Sequence, residues 1–369
     1  MNKELKELSR LFFKLGSIAF GGPAAHIAMM EDEVVKKRNW MTHQHFLDLV
    51  GATNLIPGPN STEMTMHCGH ERAGWKGLIV AGVSFIFPAV VITMIFAWLY
   101  QKYGQLPKVE PFIYGIKPAV IAIILSAVFS LGKKALKNTT LWILGILTVT
   151  ACLLGVNEII ALFACGFLGL GLYFINNSKD KIFSATPLIL LQMTVSVGTL
   201  KIFWTFLKVG ALLYGSGYVL FAFLDAELVS NGWLTRQELM DAVAVGQITP
   251  GPVLSTATFI GWQMNGFWGA MAATVGIFIP SFLFVALLNP LIPKLRKSKS
   301  MSSFLDAVNV AAVAVIVSVV VEMGKETLLD WRSIVIAIIS LTFVFVFKKV
   351  NSAFIVIGSS VMGYLLTLV

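Results

Sequence analysis

Apolar residues fill long stretches of this chain without the alternating polar face that a surface helix of a water-soluble protein carries. Such runs lie at about 78–100, 112–131, 140–155 and 158–175, and a second series lies at about 266–289, 304–322, 332–347 and 351–369. A helix needs about 20 apolar residues to cross a bilayer, so the longer runs predict membrane spans. The shorter pairs, 140–155 with 158–175 and 332–347 with 351–369, predict helical hairpins closed by tight turns. Ahead of each series the chain is apolar but broken by glycine and proline, at about 9–30 and 46–66 and again at 199–224 and 239–260.

The two series are copies of one another. Phe13-Lys14-Leu15-Gly16 matches Leu207-Lys208-Val209-Gly210, and Phe20-Gly21-Gly22-Pro23 matches Tyr214-Gly215-Ser216-Gly217. Glu31 and Glu33 fall on Asp225 and Glu227, Asp48 on Asp241, Pro57-Gly58-Pro59 on Pro250-Gly251-Pro252, and Pro88 on Pro280. The offset is 194 at Lys14 and 192 at Pro88, a register held over the whole half. The predicted organisation is a first repeat at 1–180, a linker or extra crossing at 181–198, and a second repeat at 199–369.

Lysine and arginine give the orientation. In the first half they gather in the loops 132–140 and 176–187; in the second they gather in the loop 290–303 and the turn near 348, the opposite set. The halves are therefore expected to insert upside down relative to each other. The predicted fold class is an all-α polytopic membrane protein, an inverted repeat with discontinuous helices and about 10–13 membrane segments.

Composition agrees: 57% of residues are hydrophobic and 13% charged, too few charges to cover a water-facing surface. The net charge of +9 would raise nucleic acid as a partner in a soluble protein, but here the basic residues cluster between apolar runs as topology signals, so nucleic acid is set aside and lipid is the expected surroundings. The three cysteines form no CxxC pair, which predicts neither a zinc site nor a disulfide framework. No cofactor signature is present, and the start of the chain lacks a cleavable leader pattern. A second copy of the chain is a candidate partner.

The candidate chemistry sits at the breaks. Proline removes a donor and glycine admits unusual backbone, and broken backbone at membrane depth is tolerated only where protein or a water-filled cavity satisfies it. Helices are expected to begin near Pro23, Pro59, Gly217 and Pro252, presenting amides and partial positive charge suited to an anion; Asn60, Ser61, Thr62, Ser255 and Thr256 would cap or line them. The competing reading is packing kinks in ordinary spans. Lys14 and Lys208 either attract an anion or pair with a carboxylate, or else snorkel to the interface. Glu31, Glu33, Asp225, Glu227, Asp48 and Asp241 either relay protons and gate, or mark where spans reach water. His26, where the second half has Leu220, is a candidate for proton coupling or for a structural hydrogen bond. Tyr214 and Tyr218 either reach cargo oxygens or pack as aromatics. His67, Cys68, His70 and Glu71 resemble metal ligands, but the second half lacks them, which favours a polar interfacial loop without metal.

In Phe20-Gly21-Gly22-Pro23-Ala24-Ala25-His26, Pro57-Gly58-Pro59, the stretch Gly210 to Leu220 and Gly246-Gln247-Ile248-Thr249-Pro250-Gly251-Pro252, nearly the whole chain resembles the chromate ion transporter family in its two-domain form. The resemblance implies export of chromate from the cytoplasm across the cell membrane and resistance to it, with proton coupling and overlap with sulfate also suggested by the family. Tyr214 and Ser216 depart from the Phe-Gly-Gly-Gly common there, which bears on substrate preference. The absence of a GxxxxGK[ST] motif predicts a secondary transporter driven by an ion gradient or the membrane potential. No enzyme activity is expected, because a membrane enzyme needs a polar catalytic cluster and the stretch His67–Glu71 is the only candidate for one.

Overall fold

The computed structural model describes residues 3–20, 22–53, 56–104, 106, 109–176, 198–214, 217–288, 298–347 and 350–368. Gly21, Gly215, Ser216, the linker up to residue 197, and the basic residues Lys108, Lys179, Lys181, Lys294, Arg296, Lys297, Lys348 and Lys349 lie outside them.

The described residues are helical, with no strand among them. In the first half the order is α1 (Lys3–Ile18), α2 (Gly22–Glu31) continued by a π-helical turn (Asp32–Lys37), α3 (His43–Thr53), α4 (Asn60–Tyr103), α5 (Glu110–Ala135), α6 (Thr139–Leu153) and α7 (Glu158–Asn176). The second half repeats it as α8 (Thr199–Leu212), α9 (Val219–Leu224) with its π-helical turn (Asp225–Val229), α10 (Arg236–Ile248), α11 (Thr256–Leu288, preceded by a 3-10 turn Val253–Ser255), α12 (Lys299–Thr327), α13 (Trp331–Val346) and α14 (Ser352–Thr367). Among the described residues, five helices are long and apolar enough to cross a membrane. Along α4, Trp75, Ile79, Val83 and Phe87 recur every four residues and are each more than half exposed, a stripe that only lipid would cover at this density.

The irregular apolar regions of the sequence are helical hairpins that enter the protein and turn back. α1 runs inward and ends at Ile18, just before Ala19. α2 opens at Gly22, and with its π-turn it returns along α1, so that Arg38 comes back within 3.7 Å of Glu7. α8 and α9 repeat this, with Lys208 paired to Glu227 and Lys201 lying over the Trp233 ring.

α4 is itself a hairpin. Ala73 and Gly74 leave the helical region, with Gly74 at φ +58°, a conformation open to glycine, and they divide α4 into a short leg (60–72) and a long leg (75–103). The legs close tightly because Gly69 and Gly77 lie against each other's backbone. α11 bends the same way at Asn265 and Gly266. Each short leg reaches only about 20 Å into the protein and begins at a Pro-Gly-Pro turn. The expectation of one irregular stretch at 46–66, and of His67 to Glu71 as a polar loop, is therefore corrected. Those residues belong to the short leg, where His67 and Cys68 are buried. A leg of 13 residues is too short to show up as a span.

The inversion is visible in the packing. Tyr100 and Gln101, near the end of the long leg of α4, touch Phe259 and Trp262, just before the elbow of α11. The elbow of α4 is some 27 residues earlier on the same helix, about 40 Å away, so the two elbows are on opposite faces. The halves also exchange arms: α5 packs on α13 and α14 of the other half, and α12 on α6 and α7. Tyr114 donates to Asp330 across one junction and Lys137 pairs with Asp306 across its symmetry mate.

Candidate functional site

The reentrant tips and the Pro-Gly-Pro turns meet in the middle of the protein. The Gly58 N–H donates to the Leu213 carbonyl at 2.7 Å, and the Gly251 N–H donates to the Ala19 carbonyl at 2.9 Å. These two bonds are mates under the repeat: each turn is tied to the carbonyl that ends the first inward helix of the other half. Both glycines have positive φ, +139° at Gly58 and +88° at Gly251. The tips themselves come together where Gly22 approaches the Tyr218 hydroxyl. Broken backbone is thus satisfied by broken backbone, which is how such turns persist at membrane depth.

Helices begin where the breaks place them. α2 opens at Gly22 with Pro23 next, α4 opens at Asn60 behind Pro59, α9 opens one residue after Tyr218, and the 3-10 turn follows Pro252. Thr62 and Ser255 occupy equivalent positions in the first turns of the two short legs. Both are buried, and neither hydroxyl has a hydrogen-bond partner. Ser281 on α11 and the amide nitrogen of Gln247 on α10 are buried and unpartnered as well. A buried polar group without a partner costs about 1–3 kcal/mol, which makes these three hydroxyls and this amide candidate donors to a bound polar group. Thr256, by contrast, donates to the Val253 carbonyl at 2.8 Å, and Ser61 offers its carbonyl to Thr65. Asn60 is half-buried at the head of α4, and Pro57, Pro59 and Pro250 frame the turns.

The charged candidates are placed elsewhere. Lys14 is exposed on the outer face of α1. Lys208 is engaged by Glu227 at 2.6 Å. Glu31 contacts His43 at 3.0 Å, and its mate Asp225 takes a two-pronged bond from Arg236 at 2.9 and 3.1 Å; Arg236 also reaches Glu326. Glu33 holds Arg38 and Lys37, and Asp48 is exposed. Asp241 accepts from Tyr100 at 2.6 Å and lies 3.4 Å from Lys117, a buried junction between halves. These pairs brace the hairpins against one another. His26 is 2% exposed, its Nε2 3.0 Å from the Ala19 carbonyl that Gly251 also uses, with its ring edge-on to Phe85. It therefore belongs to the tip of the first hairpin.

One residue at the centre escaped the sequence reading. Glu63, in the first turn of α4, is fully buried, and neither carboxyl oxygen has a hydrogen-bond partner. A Cβ on Gly58 would collide with its Oε1 and stand 2.7 Å from Ser281 Oγ, so turn, carboxyl and hydroxyl converge on one spot. The signal was an acidic residue four positions past Pro-Gly-Pro inside an apolar stretch. It stood in a run of hydroxyl residues that drew the eye as caps.

The family model described as chromate transporter matches the chain twice, over residues 6–170 and 200–364. The chromate transport protein of Cupriavidus metallidurans is 30% identical over 97% of this chain and 92% of its own length. The probable chromate transport protein of Synechococcus elongatus is 32% identical over 91% and 89%, and the chromate transport protein of Pseudomonas aeruginosa is 27% identical over 97% and 92%. No solved structure matches the chain.

Proposed function

As the chain belongs to the chromate transporter family, we propose that it is a secondary transporter that exports chromate or a related tetrahedral oxyanion across the cytoplasmic membrane. The observation that carries this reading is the pair Thr62 and Ser255: two repeat-related hydroxyls, buried and unpartnered, at the heads of two half-length helices that enter from opposite faces. A tetrahedral oxyanion offers acceptors on every side. The first turn of an α-helix leaves four amides without intrahelical partners and carries partial positive charge. Hydroxyls on that turn, the Gln247 amide and the Ser281 hydroxyl add donors that cost no reorganisation.

In this reading Lys208 acts indirectly. Its ammonium neutralises Glu227 and ties the second hairpin together, and cargo charge is met by dipoles. Asp241 with Tyr100 and Lys117, and Asp225 with Arg236, hold the halves in one arrangement; alternating access requires these contacts to rearrange. The membrane potential suffices as a driving force, since a dianion leaving a negative interior gains about 4–5 kcal/mol at 100 mV.

The test is flux of labelled chromate and sulfate into and out of reconstituted vesicles, with the potential set by a potassium gradient. Thr62→Ala and Ser255→Ala should each weaken apparent chromate affinity about fivefold, the double variant more, at unchanged protein level in the membrane. Wild-type flux in the double variant would remove the site. Sulfate flux exceeding chromate flux in the wild type would reassign the cargo to sulfate.

A further inference from the structure

The two halves differ at their common centre, and the difference is concentrated in two positions. Glu63 has Thr256 as its repeat mate, and Ser281 has Ala89. Beside Gly251 the chain places a methyl group, Ala89, and the hydroxyl of Thr256 is spent on the Val253 carbonyl. Beside Gly58 it places a carboxyl and a hydroxyl, both buried and both unpartnered. The polar centre is therefore built around one turn, Gly58, and the ionisable group set against that turn is an acid.

An acid is an odd choice for an anion site. Two unprotonated anionic oxygens in contact within a low-dielectric interior repel by several kcal/mol, whereas a carboxyl oxygen and an oxyanion oxygen with one proton between them form a short, strong hydrogen bond. We propose that Glu63 selects the cargo by its capacity to hold a proton: the site takes one oxyanion together with one proton, which lies between a Glu63 carboxyl oxygen and one cargo oxygen. No other bond changes. This inference rests on the transport reading above and deepens it to a substrate class. Chromate takes up a proton near neutral pH, and hydrogen phosphate carries one there. Sulfate is a far weaker base and stays fully ionised until strongly acid pH, so it leaves the proton unshared.

Other titratable groups surround Glu63 without hydrogen-bonding to it. On its own leg the next titratable group is His67, one turn away and itself unpartnered. α2 brings His26, held at Ala19, and α10 brings Asp241, held by Tyr100 and Lys117. The second tip brings Tyr214 and Tyr218. The charged groups of α1 and α3 are either at the elbow, where Glu7 meets Arg72 and His45 meets Glu71, or exposed, as Lys14 and Asp48 are. None of them hydrogen-bonds or ion-pairs with Glu63.

The test compares wild type with Glu63→Gln in reconstituted vesicles between pH 6 and 8, using labelled chromate and labelled sulfate. The amide has nearly the same shape and can bond an oxygen of either anion, but it cannot share a proton. The expected result is a sulfate-to-chromate flux ratio at least about tenfold higher in Glu63→Gln, with the chromate flux losing the fall toward alkaline pH that the wild type shows. An unchanged ratio and pH profile overturns the inference and leaves the transport reading standing. Absence of oxyanion flux in the wild type overturns both. Should Glu63→Gln fail to insert, competition in the wild type at pH 7 decides: inorganic phosphate inhibiting chromate flux at lower concentration than sulfate supports the assignment, and sulfate inhibiting equally or better overturns it.

Discussion

Replacing Gly251 by alanine tests whether the central turn is as constrained as its geometry implies. The residue sits at φ +88°, where an added Cβ costs roughly 1–2 kcal/mol in backbone strain alone. That Cβ would also stand 2.7 Å from the Ala89 methyl and 3.1 Å from the Gly16 carbonyl oxygen. One side chain too many in a packed interior costs about 1–3 kcal/mol, so Gly251→Ala should lose about 2–5 kcal/mol. The neighbour supplies an internal control. Ala89→Gly removes the atom that clashes, at a cost of about 1 kcal/mol for glycine in a helix. The double variant should therefore be more stable than the sum of the singles by about 1–2 kcal/mol, the steric part of the penalty, while the strain at φ remains. Equilibrium unfolding by detergent titration in mixed micelles measures all four corners of this cycle. Chromate flux should fall with stability, because the bond from the Gly251 N–H to Ala19 O ties the turn to the tip of the first hairpin. An additive cycle, or a Gly251→Ala variant as stable as wild type, would refute the reasoning.

Three further outcomes follow from the same packing. Lys208→Ala should destabilise by about 1–3 kcal/mol because it strands the half-buried Glu227 carboxylate, and Lys208→Ala with Glu227→Ala should recover most of the loss in the same titration, separating a brace from a cargo ligand. Gly69→Leu should prevent the short leg of α4 from closing on Gly77, which protease accessibility of the elbow would report as increased cutting near residue 74. The Tyr114 hydroxyl holds the Asp330 carboxyl below its ordinary range. The stabilisation from this exposed bond, about 0.5–1 kcal/mol after solvent screening, is present above the ordinary carboxylate range and lost as pH falls through the lowered value. The difference between wild type and Tyr114→Phe should accordingly shrink and then vanish as pH falls through the lowered carboxyl range.

The membrane class, the duplication and the positions of the breaks were legible in the chain itself. Hydrophobic run length is a local property, so 112–131 and 304–322 announced α5 and α12 to within a few residues at most ends. Two copies of Pro-Gly-Pro in register announced two helix starts, since proline and glycine constrain the backbone wherever they stand. The anti-correlated lysines pointed to inversion, which the packing of Tyr100 on Phe259 bears out. Tertiary structure alone decided the partners. The short leg 60–72 is too brief to stand out as a span and exists as a leg because Gly69 meets Gly77 after a turn at Gly74. In the sequence Lys208 could attract an anion, pair with a carboxylate or snorkel, and the acidic residues after the first break could relay protons or mark where spans reach water; distance showed which carboxylate each cation meets. Glu63 differs from the other acids only in meeting nothing, and the lack of a partner is a property of three-dimensional neighbours, which no residue type or spacing along the chain encodes.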